Sequence, residues 1–110
     1  EVHTELEESW IKSVTRVKAG QPYIDVEYTV GPVPIEDGIG KEVITRFHTN
    51  IKNNDLFYTD SNGRDFMKRK RSYRPTWDLE EFEFVAGNYY PVNTAIYIED
   101  EDASLCVLVD

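Results

Sequence analysis

Hydrophobic and polar residues alternate along much of the chain, which is the pattern of a β-strand with one buried face. The clearest case is PYIDVEYTV, residues 22–30. Alternate residues of a strand point to opposite sides, so one face of this strand would carry Ile24, Val26, Tyr28 and Val30. The other face would be largely polar, and the segment is predicted to be a half-buried strand.

Most of the remaining chain also has β character. Strands are predicted at residues 10–17, 42–51, 95–99 and 104–109. The best helical candidate, Thr4 to Trp10, is short. VGPVPIEDGIG, residues 30–40, is predicted to be a surface loop, because its two prolines lack backbone donors and its three glycines favour turns.

These elements predict an all-β protein, an antiparallel β-sandwich. A chain of 110 residues suits one domain, and no repeat or linker marks a boundary within it. Nine apolar positions on the predicted inner faces are expected to be buried: Ile24, Val26, Tyr28, Val43, Phe47, Ile96, Ile98, Val107 and Val109.

A β-hairpin is predicted around Asn62-Gly63, because both residues tolerate positive φ. A two-residue loop would place Asp60 opposite Asp65, and facing like charges are unfavourable. A four-residue loop, residues 60–63, would pair Phe57 with Phe66 and Leu56 with Met67. The four-residue loop is therefore the preferred register.

The returning strand of the hairpin leads into a basic run, Lys68 to Arg71, within a chain of net charge −9. An acidic stretch, residues 78–83, follows at once and is expected to lie near the basic run and partly neutralise it. Nucleic acid is excluded as a partner, because a strongly acidic protein repels polyanions. No apolar run approaches the roughly 20 residues of a membrane span, so no membrane-spanning segment is predicted.

No active site is visible in the residues alone. The only cysteine, Cys106, stands in an apolar run and is predicted to be a buried, inert thiol. His3 and His48 have no partner at metal-ligand spacing. Nucleophile-elbow and phosphate-loop motifs are both absent. We therefore expect no metal or other cofactor within this chain.

Several longer motifs do carry information. FYTDSNGR, YRPTW and AGNYYPVNTAIYIED, followed by LCVLVD, resemble the C-terminal β region of glycoside hydrolase family 38 α-mannosidases, most closely the lysosomal and plant vacuolar class. VEYTVGPVPIEDGIGKEVITRF resembles the same region, in the same order. The resemblance runs from about residue 2 to residue 110. The opening Glu1-Val2-His3 also reads as the interior of a longer polypeptide or as a processed end.

The resemblance implies a supersandwich-like β-sandwich portion of a larger enzyme. The family hydrolyses terminal α-D-mannose residues of N-glycans with retention of configuration. Its zinc ion and its aspartate nucleophile belong to an N-terminal barrel domain, whose segments do not occur in this sequence. Residues 1–110 are thus expected to be non-catalytic. Their implied partners are the other domains or peptides of the same α-mannosidase and mannose-containing glycans, in a lysosomal, vacuolar or secreted location.

Four residues are predicted to line the rim of the mannose cleft. Asn88 and Tyr89 are the main candidates, since amides, hydroxyls and ring faces hold sugars, and Asp60 and Arg64 are weaker ones. The alternative is that Tyr89 and its neighbour Tyr90 are structural. A further alternative is that the chain is an independent carbohydrate- or protein-binding β-sandwich module, with exposed aromatics such as Tyr73 and Trp77 as its contacts.

Overall fold

The structure is a computed structural model that describes residues 2–5 and 10–110. It divides into two compact units, Glu1–Arg46 and Phe47–Asp110. Each unit holds one antiparallel sheet, three strands in the first and four in the second. Within the described residues the one helical element is a 3-10 turn, Ala86–Asn88. The all-β prediction is confirmed.

The first unit is a meander of three strands: β1 (Val2–Glu5), β2 (Ile11–Val17) and β3 (Ile24–Val30), with β2 in the centre. The strands predicted at residues 10–17 and 22–30 are confirmed. The helical prediction from Thr4 to Trp10 is wrong for Thr4 and Glu5, which pair with β2. Residues 6–9 lie outside the described part of the chain.

A long loop follows β3, as the prolines and glycines predict. Gly31 begins it, with its N–H donating to the carbonyl of Trp10 at 2.6 Å. A Cβ on Gly31 would stand 3.2 Å from that carbonyl oxygen, so only glycine fits without a shift. The strand predicted at residues 42–51 does not form. Its alternating pattern finds no neighbouring strand to pair with in the described residues.

The second unit contains four strands: β4 (Leu56–Ser61), β5 (Asp65–Lys70), β6 (Ala95–Glu99) and β7 (Ser104–Leu108). Their order across the sheet is β5-β4-β6-β7. The last two strands match the predicted segments 95–99 and 104–109 to within one residue. Tyr58 of β4 stacks on Tyr97 of β6, with ring centroids 4.5 Å apart.

The β4–β5 hairpin turns where the sequence predicts, but in a different register. Asn62 and Gly63 both have positive φ, and the N–H of Arg64 donates to the carbonyl of Ser61. Ser61 pairs with Asp65, and Asp60 pairs with Phe66. The loop therefore consists of three residues, 62–64, instead of the predicted four. The predicted pairing of Phe57 with Phe66 is therefore wrong, since Phe57 pairs with Arg69.

The carboxylate of Asp60 is the physical reason for this register. Its Oδ2 accepts a hydrogen bond of 2.8 Å from the N–H of Gly63 inside the turn. Its Oδ1 accepts from the N–H groups of Asn93, Thr94 and Ala95 at 2.8, 2.9 and 3.2 Å. Asp60 is buried, and it ties the hairpin tip to the start of β6. In this register Asp60 pairs with Phe66, so its negative charge lies among four N–H donors and does not face the charge of Asp65.

Burial is much lower than the alternation predicts. Six of the nine positions expected to be buried are exposed: Ile24, Val26, Tyr28, Val43, Phe47 and Val109. Ile96, Ile98 and Val107 are half-buried. The prediction is wrong for Ile24, Val26 and Tyr28 because the first unit holds a single sheet with no second layer of its own. It is wrong for Val43, Phe47 and Val109 because these residues lie outside any strand.

Cys106 is also exposed, so the prediction of a buried thiol is wrong. The residues on either side of it, Leu105 and Val107, are half-buried. Alternation within β7 therefore turns Cys106 to the opposite face, where it pairs across the sheet with Tyr97.

In the described residues, the ion pair formed by the basic run does not involve the acidic stretch that follows it. Arg71 forms its ion pair with Asp55, at 2.7 Å, beside the start of β4. The guanidinium of Arg71 also lies 5.3 Å from the centre of the Phe84 ring. Phe84 directly follows the acidic stretch, so this ring contact brings the basic run close to the end of that stretch.

A first prediction concerns Gly63 in the hairpin turn. Its φ is +69°, and an added Cβ would stand 3.3 Å from Thr94 Oγ1. Gly63→Ala should lower the free energy of unfolding by about 1–2 kcal/mol, the cost of left-handed backbone for an L-residue. Urea unfolding followed by circular dichroism measures it. Gly40→Ala is the control, since a Cβ there meets nothing within 4 Å and φ is ordinary. Equal stability of the two variants would contradict the turn geometry.

A second prediction concerns Asp60. The hydrogen bond from Thr94, helped by those from Gly63, Ala95 and Asn93, lowers the pKa of Asp60 far below its ordinary 3.8, although burial opposes this. A lowered folded-state pKa contributes stability that is present above the ordinary pKa and lost as pH falls through the folded value. Asp60→Asn should therefore lower the urea midpoint at pH 7 and flatten the loss of stability below pH about 4.

Asp102→Asn removes the same charge from an exposed turn and serves as the control for the Asp60 experiment. It should leave both the midpoint at pH 7 and the acid slope close to those of the original chain. If Asp60→Asn behaves like this control, the carboxylate does not hold the hairpin tip.

Candidate functional site

The main candidate residues lie in the connection between β5 and β6, residues 71–94. This connection has a 3-10 turn near its end, Ala86–Asn88. The N–H of Gly87 donates to the carbonyl of Glu83 at 2.7 Å, and the N–H of Asn88 donates to that of Val85 at 3.1 Å. The turn presents Asn88 to the residues that follow β5 and leaves Tyr89 extended beyond it.

The side-chain amide of Asn88 is used inside the connection. Its Oδ1 accepts from the N–H of Ser72 at 2.8 Å. Its Nδ2 donates to Glu81 Oε1 at 2.6 Å and to the carbonyl of Phe84 at 2.8 Å, with Ser72 Oγ at 3.4 Å. An amide has two hydrogens on nitrogen, so Asn88 has no donor left over for a ligand. Asn88 closes the long connection onto the end of β5.

Arg74 has a comparable role that the sequence analysis missed. Its Nη1 donates to the hydroxyl of Tyr90 at 2.7 Å and to the carbonyl of Tyr73 at 2.8 Å, and its Nη2 donates to the carbonyl of Gly87 at 2.8 Å. Arg74 therefore joins the first and last parts of the connection. The motif YRPTW contains Arg74, but an isolated arginine in a loop gives no sign of the carbonyls it will reach.

Tyr90 packs against the sheet, whereas its neighbour Tyr89 is exposed. The ring of Tyr90 meets that of Phe57 edge-on, with centroids 5.1 Å apart. The guanidinium of Arg69 lies 5.0 Å from the centre of the Tyr90 ring. Tyr89 is 59% exposed. Of the two tyrosines, only Tyr89 keeps most of its surface for contacts outside the second unit.

The structure separates the four candidate rim residues into two groups. Asp60 and Arg64 lie at the tip of the β4–β5 hairpin, and Asn88 and Tyr89 lie beside its base, where Ser72 follows β5. Strands of six residues extend about 15–20 Å, so the four side chains do not form one cluster. Asp60 is also fully engaged with backbone N–H groups, whereas Arg64 is exposed.

A shallow depression of about 400 Å³ lies in the same connection, lined by residues 73–78. It is open to solvent rather than enclosed. Tyr73 and Trp77 stand at its sides and are both more than half exposed. The ammonium group of Lys70 lies 5.3 Å from the centre of the Tyr73 ring. The depression offers ring faces to a ligand, and Arg74, Thr76 and Asp78 are also among its lining residues.

The described residues do not fit a metal centre. In residues 10–110, no group of three or more His, Cys, Asp or Glu side chains converges as ligands would. Among the same residues, no helix is long and apolar enough to cross a membrane.

Comparison with known proteins gives the family. The family model described as glycosyl hydrolases family 38 C-terminal domain matches residues 1–110. The chain is 54% identical to an alpha-mannosidase of Arabidopsis thaliana, 53% to the lysosomal alpha-mannosidase of Felis catus and 52% to that of Homo sapiens. Each alignment spans all 110 residues of this chain but 11% of the relative. The resemblance carried by the motifs is confirmed, and the chain belongs to the glycosyl hydrolase family 38 C-terminal domain family.

Proposed function

We propose that this chain is a non-catalytic β portion of a zinc-dependent, retaining α-mannosidase that hydrolyses terminal α-D-mannose residues of N-glycans. The observation that carries the proposal is identity of 52–54% along the whole chain to alpha-mannosidases of a plant and of mammals. This degree of identity along the full length of the chain favours the same role in the same kind of enzyme. The chain's task is then to build and support the enzyme rather than to perform its chemistry.

The contacts of the polar residues support a structural role. Two of the four candidate rim residues, Asp60 and Asn88, form their hydrogen bonds with the backbone and loops of the chain itself. Catalytic groups generally have a free face toward a cleft and a pKa suited to proton transfer. Asp60 has the opposite properties, since it is buried and the hydrogen bond from Thr94 lowers its pKa.

The zinc ion, the nucleophile and the rest of the sugar site are proposed to lie in other segments of the same polypeptide. Those segments are also the proposed partners of this chain, together with mannose-containing glycans. The two mammalian relatives named above are lysosomal alpha-mannosidases by name. A lysosomal, vacuolar or secreted location is proposed on that basis.

Within this proposal Tyr89 is the strongest candidate for the rim of the mannose cleft. It is 59% exposed, and the ring and the hydroxyl of a tyrosine suit the C–H faces and the hydroxyls of a sugar. Arg64 is exposed at the hairpin tip and remains a second candidate. The polar atoms of Asn88 and Asp60 already form hydrogen bonds within the chain. These two residues would therefore affect the cleft only by holding neighbouring residues in place.

The second candidate function is an independent carbohydrate-binding module. The open depression between Tyr73 and Trp77 favours it, because exposed aromatic faces stack on sugar rings. The two functions differ in what surrounds the segment in its gene. A zinc-barrel domain upstream supports the enzyme, whereas a stop codon directly after Asp110 supports the module.

The purified 110-residue chain should show no turnover of an aryl α-mannoside and should not retain zinc stoichiometrically. The reason is that its described residues hold no cluster of metal ligands. Release of the aryl group and metal content by mass spectrometry provide the two readouts, and the full-length enzyme is the positive control. Turnover that a chelator abolishes would overturn the non-catalytic assignment.

In the full-length enzyme, Tyr89→Phe should lower kcat/KM about fivefold without a change in Tm, the equivalent of one lost neutral hydrogen bond of about 1 kcal/mol. Tyr73→Phe is the matched control and should leave kcat/KM unchanged. Asn88→Ala should instead lower Tm, because it removes the amide that closes the connection. Unchanged activity per folded molecule in Tyr89→Phe would show that the rim hypothesis is wrong.

A further inference from the structure

Asn62-Gly63, at the tip of the β4–β5 hairpin, is a residue pair with covalent chemistry of its own. It is the one place in the chain where glycine follows asparagine. The backbone nitrogen after an asparagine can attack the side-chain carbonyl carbon, and glycine has no side chain to hinder this attack. In a flexible peptide, an Asn-Gly pair therefore loses ammonia faster than other asparagine pairs. The conformation of the hairpin turn decides whether this reaction proceeds in the folded protein.

The turn holds the attacking nitrogen away from the carbon that it would attack. The φ angle is +52° at Asn62 and +69° at Gly63, and the N–H of Arg64 donates to the carbonyl of Ser61 at 3.0 Å. This is the pattern of a type I′ turn, whose first central residue has ψ of about +30°. At that angle the Gly63 nitrogen stands nearly opposite the Cβ of Asn62 across the Cα–C bond. Ring closure therefore requires a large rotation about that bond.

Hydrogen bonds hold both reacting groups in this arrangement. The N–H of Gly63, which carries the attacking nitrogen, donates to Asp60 Oδ2 at 2.8 Å. The side-chain oxygen of Asn62 accepts from Asn93 Nδ2 at 2.9 Å. The backbone N–H of Asn93 in turn donates to Asp60 Oδ1 at 2.8 Å. Asp60 thus positions the partners of both groups, and the rotation that closes the ring breaks the bond from Gly63.

Asp60 accepts from the attacking nitrogen, but it is a poor base for the reaction. The nitrogen must lose its hydrogen in order to attack, and a neighbouring carboxylate takes that hydrogen only if it is basic enough. The hydrogen bond from Thr94, with those of the other N–H groups at the tip, lowers the pKa of Asp60 far below its ordinary 3.8. A general base works best when its pKa lies near the operating pH. Asp60 therefore keeps the hydrogen on the nitrogen.

We propose that Asn62 is a deamidation site of this protein, and that Asp60 and Asn93 suppress its reaction while the hairpin is folded. In the reaction, the Gly63 nitrogen gives up its hydrogen as a proton and forms a bond to the side-chain carbonyl carbon of Asn62. The bond from that carbon to the side-chain nitrogen breaks, and the nitrogen leaves with the proton as ammonia. Water then opens the cyclic imide at either carbonyl and yields aspartate or isoaspartate.

Neither product suits the tip of the hairpin. Both place a new carboxylate two residues from the buried charge of Asp60, and like charges at close range repel. Isoaspartate also lengthens the main chain by one carbon within the turn. Because the loss of ammonia is irreversible, each event would leave a molecule with a permanently weakened tip. The protection that Asp60 gives therefore bears on the lifetime of the protein, which goes beyond the proposed function.

Peptide mapping of the full-length enzyme in mildly alkaline buffer tests the proposal. After timed incubation, mass spectrometry counts aspartate and isoaspartate at position 62. A synthetic peptide of residues 57–67, which lacks β6, provides the unprotected rate. Position 62 in the folded enzyme should react at least tenfold more slowly than in the peptide. Equal rates in the enzyme and the peptide would overturn the proposal, whether or not the enzyme hydrolyses a mannoside.

Asp60→Asn in the full-length enzyme should raise the deamidation rate at position 62 at least fivefold. An amide has one accepting atom in place of two, so it cannot serve both Gly63 and the start of β6. Asp100→Asn is the matched control, since Asp100 also accepts from backbone N–H groups but at the turn between β6 and β7. It should stay within twofold of the original. No acceleration in Asp60→Asn, or equal acceleration in both, would overturn the proposal.

Asn93→Ala supplies a second readout that leaves Asp60 in place. It removes the side-chain amide that holds the oxygen of Asn62 but keeps the backbone N–H that bonds Asp60. Deamidation at position 62 should rise at least threefold while Tm stays unchanged, so that the rise does not reflect unfolding. An unchanged rate in this variant would contradict the proposed role of Asn93 even if Asp60→Asn fails to fold.

Discussion

The fold of the second unit depends on one buried carboxylate. The strands β4 and β6 pair directly at only two positions, Tyr58 with Tyr97 and Thr59 with Ile96. Asp60 stands next to this short ladder and gathers the N–H groups of the hairpin turn and of the start of β6. Because residues 71–94 separate β5 from β6 in the chain, closing such a long loop costs conformational entropy that a two-pair ladder alone offsets poorly. The charged hydrogen bonds of Asp60 supply the missing constraint, so the register of the hairpin and the position of β6 are set together.

The sequence predicts local structure well where the cause is local. Asn62-Gly63 specifies the turn, alternation specifies β3, and β character specifies β2, β6 and β7, because backbone preference and side-chain period act within a few residues. The register of the hairpin could not be predicted, since it depends on N–H groups more than 30 residues away that bind Asp60. The strand predicted at residues 42–51 fails for a related reason. A strand needs a neighbour, and the pattern of one segment does not reveal whether the neighbour is present.

In the candidate site, too, some features could be predicted from the sequence and others depend on residues far along the chain. The chemistry of Asn88 and Tyr89 could be identified from their types and from the family resemblance, but their roles could not. Asn88 is occupied because the chain returns to Ser72 and Glu81, and those contacts arise from the path of a long irregular loop. Arg74 was not identified from the sequence, although it joins the first and last parts of that loop. Polar residues in such connections more often hold the loop itself than a ligand, because each backbone group that leaves water needs a partner.

The distribution of negative charge suits an acidic compartment, as in the lysosomal or vacuolar part of the location that we propose. Asp60 and Asp100 both accept hydrogen bonds from backbone N–H groups, chiefly from Thr94 and from Lys52, and these bonds lower the pKa of each carboxyl. Their contributions to stability are therefore complete above the ordinary aspartate value of 3.8 and decline only as pH falls toward the lowered values. In a compartment near pH about 5, the two structural aspartates stay ionised, and the loops they hold remain in place.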